Sequence, residues 1–405
     1  MSGATRLTAT GVACVGCAYG MARYGFGLLL PAMRADLQLS DASIGMTAAA
    51  GYATYLIVSL RTGSLVARFG PRAIVLAGGG CAVAGMLLAA AAPAAPVLGV
   101  AVAVAGASSA LVFPPFADAI ATVVPEPGRA QALAWISSGT GAGVAVAAPL
   151  ALIAGDWRLS WVLFAVAGVL ITLLAARVVP AAPLMPRDAN RTGCVAIGAT
   201  PAGAGPLLAS AVLVGLGAAV FWTWAVDRVA SVGDLGQGTA QALLAVVGVA
   251  SLGGALAAGL VGRFGLRIAA VACGALLATA LIALAVAPGV ILAGVVAAVL
   301  FGTAYNILVT TQGLWSTRIF AQPARGLAAV MSAMGIGFLV GPLLAAPLDQ
   351  RTAFLIAALL LAAAGALGLT APRSRGGDLT RAAHEREAAA CVTRSTPPHG
   401  DSLRV

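Results

Sequence analysis

Arg23 stands inside an apolar run that extends from about Leu7 to Met33, and it is the only arginine placed deep within any such run of the chain. A charge at membrane depth is costly, which makes an ionisable residue there a candidate for function. On a helical wheel Gly16, Tyr19, Gly20, Arg23 and Gly27 share one face, at spacings of three and four. Small residues let a second helix approach closely, so this face is expected to point into a bundle. A guanidinium so placed can hold a carboxylate or phosphate through two parallel bonds. The alternative is a structural arginine, paired to carbonyls or to an internal acid.

Other polar groups sit in comparable runs. Ser108 and Ser109 precede Phe113-Pro114-Pro115-Phe116, and the two prolines predict a local helix break that frees carbonyls. Tyr305, Asn306, Thr310, Thr311 and Gln312 offer hydroxyl and amide groups for ligand contact or for bonds between helices. Trp222 and Trp224 lie near one end of their run, where they either line a cavity or belong to an interfacial aromatic belt. Asp118 and Asp227 are the acids set furthest into a run; both lie close enough to its end for capping or a surface pair rather than proton carriage. Cys14 and Cys17 share a C-x-x-C spacing, read here as small packing residues.

Some chemistries are excluded. No histidine falls in an apolar run and the chain has no lysine, so an intramembrane hydrolase lacks a base for its nucleophile. There is no phosphate-binding loop of the Walker type, so ATP is not the energy source. No enzyme activity, cofactor or metal is expected.

These residues are held by an unusually apolar chain. Hydrophobic residues make up 60% of it and charged ones 9%, where a soluble domain has about 25% charged residues. Mean hydropathy is +1.00. We read twelve membrane-spanning helices, near residues 8–33, 42–61, 73–93, 97–120, 130–154, 158–178, 206–227, 238–261, 267–288, 290–313, 326–347 and 352–372. The net charge of +10 is carried wholly by arginine, in short loops and a tail, where it faces anionic lipid and sets topology; no nucleic acid is expected. Twelve loop arginines fall on the side of the N-terminus and only Arg34, Arg158, Arg228 and Arg351 fall opposite, which predicts that both termini are cytoplasmic. The expected organisation is a cytoplasmic N-terminus (1–7), six spans (8–178), a cytoplasmic linker rich in Pro, Ala and Gly (179–205), six more spans (206–372) and a polar, disordered cytoplasmic tail (373–405).

The two sets of six repeat one another. SLVARFGPR at 64–72 returns as GLVGRFGLR at 259–267, with six of nine positions identical. Pro127-x-Arg129 before Gly139-x-Gly141 returns as Pro323-x-Arg325 before Gly335-x-Gly337, Gly106 matches Gly302, and Pro149 with Asp156-x-Arg158 returns as Pro342 with Asp349-x-Arg351. Six spans per copy give both copies the same orientation, hence a parallel repeat about an axis along the membrane normal. Gly70 and Gly265 permit tight turns. Arg68, Arg72, Arg263 and Arg267 anchor those turns at the inner leaflet, as topology signals or also as the two parts of a cytoplasmic gate.

The phrase GSLVARFGPR, Gly63 to Arg72, resembles the loop signature of the major facilitator superfamily, and Gly139-x-Gly141-x-Gly143 before Pro149 resembles a loose form of its glycine-rich fifth-helix motif. AYGMARYGFGLLLPAMRADL in the first span is similar to a group of bacterial transporters with poorly defined substrates. The signature's usual aspartate is Ala67 here, with Gly262 in the second copy, and Ala148-Pro149 replaces a Gly-Pro pair. The resemblance implies an all-α integral membrane fold whose first, fourth, seventh and tenth helices line the cavity. Arg23, Tyr19, Ser109, Trp222, Tyr305, Asn306 and Gln312 are then the expected substrate contacts. The implied function is secondary active transport of a small organic solute by a monomer, an organic anion if Arg23 holds it. A coupling proton is open on family grounds; export of hydrophobic compounds and a non-transporting sensor on the same scaffold are the alternatives.

Overall fold

A computed structural model describes residues 3–181, 201–320 and 322–372. The tail (373–405) and most of the linker lie outside these. The described secondary structure is helical: α1 (Gly3–Val15), a π-helical stretch (Gly16–Arg23), α2 (Gly25–Leu37), α3 (Asp41–Ala90), α4 (Ala95–Val123), α5 (Glu126–Ala154), α6 (Trp157–Val178), α7 (Ala204–Asp227) with a short π-helical extension (Arg228–Val232), α8 (Gly236–Ser251), a 3-10 segment (Leu252–Leu256), α9 (Ala257–Val286), α10 (Ile291–Ile319), α11 (Pro323–Ala345) and α12 (Gln350–Leu367). Among the described residues, ten helices are long and apolar enough to cross a membrane. Their outward faces carry large apolar side chains such as Ile153, Leu170, Leu292 and Leu359, as a lipid-facing surface requires.

The repeated arginine phrase is a repeated turn. α3 and α9 are each broken at one glycine, Gly70 with φ 80° and ψ 162°, and Gly265 with φ 83° and ψ 162°. Only glycine populates that region without strain, which costs another residue about 1–3 kcal/mol. Beside the turns Arg68 lies over the Phe69 ring at 5.0 Å and Arg263 over Phe264 at 5.4 Å. We predict that Gly70→Ala and Gly265→Ala each lower stability by about 1–3 kcal/mol. Gly63→Ala, whose Cβ meets nothing within 4 Å, should cost nothing. Thermal unfolding in detergent checks this, and a Gly70→Ala protein as stable as the parent contradicts it.

Two sequence expectations need correction. Pro114 and Pro115 do not break α4, which runs unbroken from Ala95 to Val123. The carbonyl that Pro114 cannot bond is caught by a neighbour instead, since Thr62 Oγ1, buried on α3, donates to the Ala110 carbonyl at 3.1 Å. The span expected at 238–261 is not one helix either. α8 ends at Ser251 and tightens to 3-10 geometry at Gly253-Gly254, where two glycines make the helix weak.

The small residues of the first span work differently from the wheel. A π-helix advances more residues per turn than an α-helix, so the stretch Gly16–Arg23 rotates the glycines off the face that carries Arg23. Gly16 packs on Gly143 of α5, with its Cβ position 3.2 Å from the Gly143 Cα, and Gly20 meets the same backbone. Gly27 alone faces the C-terminal part of the chain, against the Trp222 carbonyl of α7. The α5 glycines serve two partners: Gly139 and Gly143 admit the first span, while Gly141 admits Gly248 of α8. On α11, Gly337 packs on Gly215 of α7 and Gly335 on Leu56 of α3. By role, Gly143 corresponds to Gly337, an offset two residues shorter than the sequence match of Gly139 to Gly335. The carboxylate of Asp156 caps α6 through the Leu159 N–H at 2.9 Å, and Asp349 caps α12 through the Thr352 N–H at 3.0 Å.

Candidate functional site

The π-helical stretch delivers Arg23 to the seam between the helices before residue 182 and those after residue 200. Its guanidinium carbon lies 4.2 Å from the centre of the Tyr55 ring, 4.9 Å from Tyr52, 5.4 Å from Phe338, 5.5 Å from Tyr19 and 5.8 Å from Tyr24. Nη1 donates to Ser109 Oγ at 3.4 Å, and Ser109 donates in turn to the Gly106 carbonyl at 3.0 Å. Nε is buried with no partner. Among the described residues no carboxylate pairs with Arg23, because the ion pairs there are Arg34 with Asp41 and with Asp227, and Arg158 with Asp36. The cation is therefore stabilised by ring faces and by the hydroxyls of Ser109 and Tyr52. Each such ring contact contributes about 0.5–2 kcal/mol, and among the described residues no formal negative charge is paired with the guanidinium.

Trp222 and Trp224 are buried, not spread along an interfacial belt. Trp222 stacks on Tyr24 with centroids 4.0 Å apart, and Phe301 and Tyr305 complete the cluster at 5.6 and 6.2 Å from Trp222. Its indole N–H is buried without an acceptor. A cavity of about 20 Å³ lies beside Arg23, Phe26, Tyr52, Val102, Trp222 and Thr223. Arg23, Tyr19, Ser109, Trp222 and Tyr305 thus come together.

Asn306 and Gln312 are engaged elsewhere. Asn306 Nδ2 donates to the Ser251 carbonyl at 3.3 Å, where α8 tightens. Gln312 is buried and donates to Ser210 Oγ at 2.8 Å, while Ser210 donates to the Ala364 carbonyl, tying α10 to α7 and α12. Of the residues at the turns, Arg267 Nε donates to the Ala371 carbonyl at 2.7 Å. Arg228, counted as a loop charge, is buried and donates to the Leu284 and Ala285 carbonyls at the end of α9.

Sequence reasoning missed Tyr24, Tyr52, Tyr55 and Phe338. Tyrosine is scarce in this chain, with five in total, and all five belong to the Arg23 and Trp222 clusters; that scarcity was the available signal. It also missed a second polar cluster. Asp227 at the end of α7 is buried and accepts from Arg34 Nη1 at 2.7 Å, Gln350 Nε2 at 2.7 Å and Ser231 Oγ at 3.2 Å. Arg34 also pairs with Asp41 at 2.9 Å. Residues 193 apart in sequence are joined here across the seam. Asp41 and Gly70 are separated by about 43 Å of helix at 1.5 Å per residue, so this cluster and the glycine turns lie at opposite ends of the bundle.

A search of curated proteins finds no match to the chain. Among solved structures it is similar to the nucleoside transporter NupG (14% identical, TM-score 0.70, covering 91% of this chain and 99% of that one). It is also similar to a D-xylose-proton symporter (15%, TM-score 0.72, 91% and 98%). A third likeness is to a bacterial homologue of the human lysosomal transporter Spinster in an inward-facing and occupied conformation (16%, TM-score 0.68, 90% and 95%). The sequence profile of the Major Facilitator Superfamily matches residues 12–226, more than half of the chain. With its bundle of apolar helices and these neighbours in fold, the chain belongs to the Major Facilitator Superfamily and is a multi-pass membrane transporter.

Proposed function

We propose that the protein is a secondary transporter that carries a small organic anion by alternating access, with Arg23 as the anion's counter-charge. The observation that carries this reading is a guanidinium held deep in the seam by five aromatic rings, with no carboxylate among the described residues against it. A buried charge without a partner is expensive, and a bound anion removes that cost. In this reading the chain has twelve spans in two parallel sets of six. α3 holds two spans on either side of Gly70, and the eighth span runs through α8 and the 3-10 segment to Gly265. Both termini face the cytoplasm of a bacterial inner membrane.

The cluster of Arg34, Asp41, Asp227 and Gln350 is then the outer latch, closed in this conformation. Arg68, Gly70, Arg72, Arg263, Gly265 and Arg267 belong to the cytoplasmic gate. The aromatic wall would equally suit an exporter of hydrophobic compounds, and the charge dependence of binding separates the two. Protein in proteoliposomes should accumulate carboxylates against neutral analogues of equal size; uptake of the neutral analogues alone overturns the anion reading.

A further inference from the structure

The seam near Arg23 is closed by two pairs of stacked rings, and each pair takes one ring from either side of it. Tyr24 stacks on Trp222 with centroids 4.0 Å apart and planes 14° from parallel. Tyr52 stacks on Phe338 at 4.9 Å and 27°. Tyr24, Tyr52 and Phe338 are also three of the rings that surround the guanidinium. Two buried donors at this place, Arg23 Nε and the Trp222 indole N–H, have no acceptor, and both residues line the same small cavity. Its volume of about 20 Å³ suits a group of a few atoms and not a ring. Gly27, Gly51 and Gly106 also line it, and each admits a neighbouring element closely: Gly27 the Trp222 carbonyl, Gly51 Val102, and Gly106 the backbone at Gly51.

From this we infer that the transported anion is a planar aromatic carboxylate, whose carboxylate takes the Arg23 and Trp222 donors while its ring enters one of the two cross-seam stacks. The inference rests on the organic-anion reading and adds the ring. A carboxylate offers two oxygens to these N–H groups and a negative charge to the guanidinium, whereas an alcohol or amide offers one uncharged oxygen. Stacked rings that belong to opposite sides of the seam part when the seam opens. A flat guest then replaces one ring-to-ring contact with two and rejoins the two sides, whereas a puckered ring fits between parallel faces poorly. Binding and closure are thereby coupled through the same four side chains.

The test is calorimetric titration of the full-length protein in nanodiscs with benzoate, cyclohexanecarboxylate and benzamide. Benzoate should bind at least about 10-fold more tightly than cyclohexanecarboxylate, and benzamide should bind too weakly to measure. Trp222→Phe, which keeps a ring and removes the N–H, should weaken benzoate about 5-fold or more. It should leave the elution profile of the folded protein unchanged. Equal affinity for benzoate and cyclohexanecarboxylate, both lost in Arg23→Ala, overturns the planar-ring assignment and leaves the anion reading standing. Binding of benzamide as tight as that of benzoate overturns both. Absence of benzoate binding overturns the assignment outright.

Discussion

Asp227→Asn is expected to spring the seam open at its outer end. The native carboxylate is 1% exposed and takes hydrogen bonds from Arg34, Gln350 and Ser231, so it ties α2, α12 and the end of α7 together. Removing one charge from a buried pair typically costs about 3–5 kcal/mol. Arg34 is 30% exposed and keeps Asp41 at 2.9 Å, so about half of that is the better figure here. Each 1.4 kcal/mol is tenfold in a two-state ratio, so the open form should gain at least about 10-fold over the parent. Spin labels at Gln38→Cys and Val232→Cys, on a background without native cysteines, report the separation across the latch. A longer-distance population should grow in Asp227→Asn. The double variant Arg34→Ala/Asp227→Asn should gain little beyond the worse single change, since the two residues share one interaction. Unchanged distances, or fully additive effects, would show that the cluster only packs helix ends.

Much of the fold could be read from residue types. An apolar run in lipid must satisfy its own backbone, so the helices follow from composition. Gly70 and Gly265 declared the turn they form, because a repeated glycine between repeated arginines has few other uses. Asp156 and Asp349 stood out only as landmarks of the repeat, and the structure shows that they cap α6 and α12. Arg23 was equally visible, since a charge inside an apolar run has to be accounted for. Its surroundings were not. Tyr52, Tyr55 and Phe338 reach it from α3 and α11, and no local spacing links them to residue 23. A wheel drawn at 3.6 residues per turn placed Gly16 and Gly20 beside Arg23, but the π-helical stretch sends them to α5. Asn306 and Gln312 had suitable chemistry for a ligand, yet they close hydrogen bonds left by the Ser251 carbonyl and by Ser210. Asp227 was judged by its distance from the end of a span. What buries it is a partner 193 residues away, which a one-dimensional pattern cannot hold.

The largest effect is expected at Arg23, and a single preparation can measure it. Arg23→Ala removes the guanidinium from the five rings and leaves no cation at this depth of the seam. Hydrogen bonds to a charged group contribute about 1.5–3 kcal/mol, so affinity for a carboxylate should fall at least about 10-fold. Arg23→Lys should keep part of it, because an ammonium supplies charge without the planar fork. Affinity and thermal unfolding of the parent, Arg23→Ala and Arg23→Lys are to be measured side by side, with benzoate, cyclohexanecarboxylate and hexanoate as probes. The anion-site account predicts that Ala abolishes the carboxylate binding seen in the parent while the protein remains folded and monodisperse, with Lys intermediate. A well-folded Arg23→Ala protein whose affinity for these carboxylates is unchanged would contradict it.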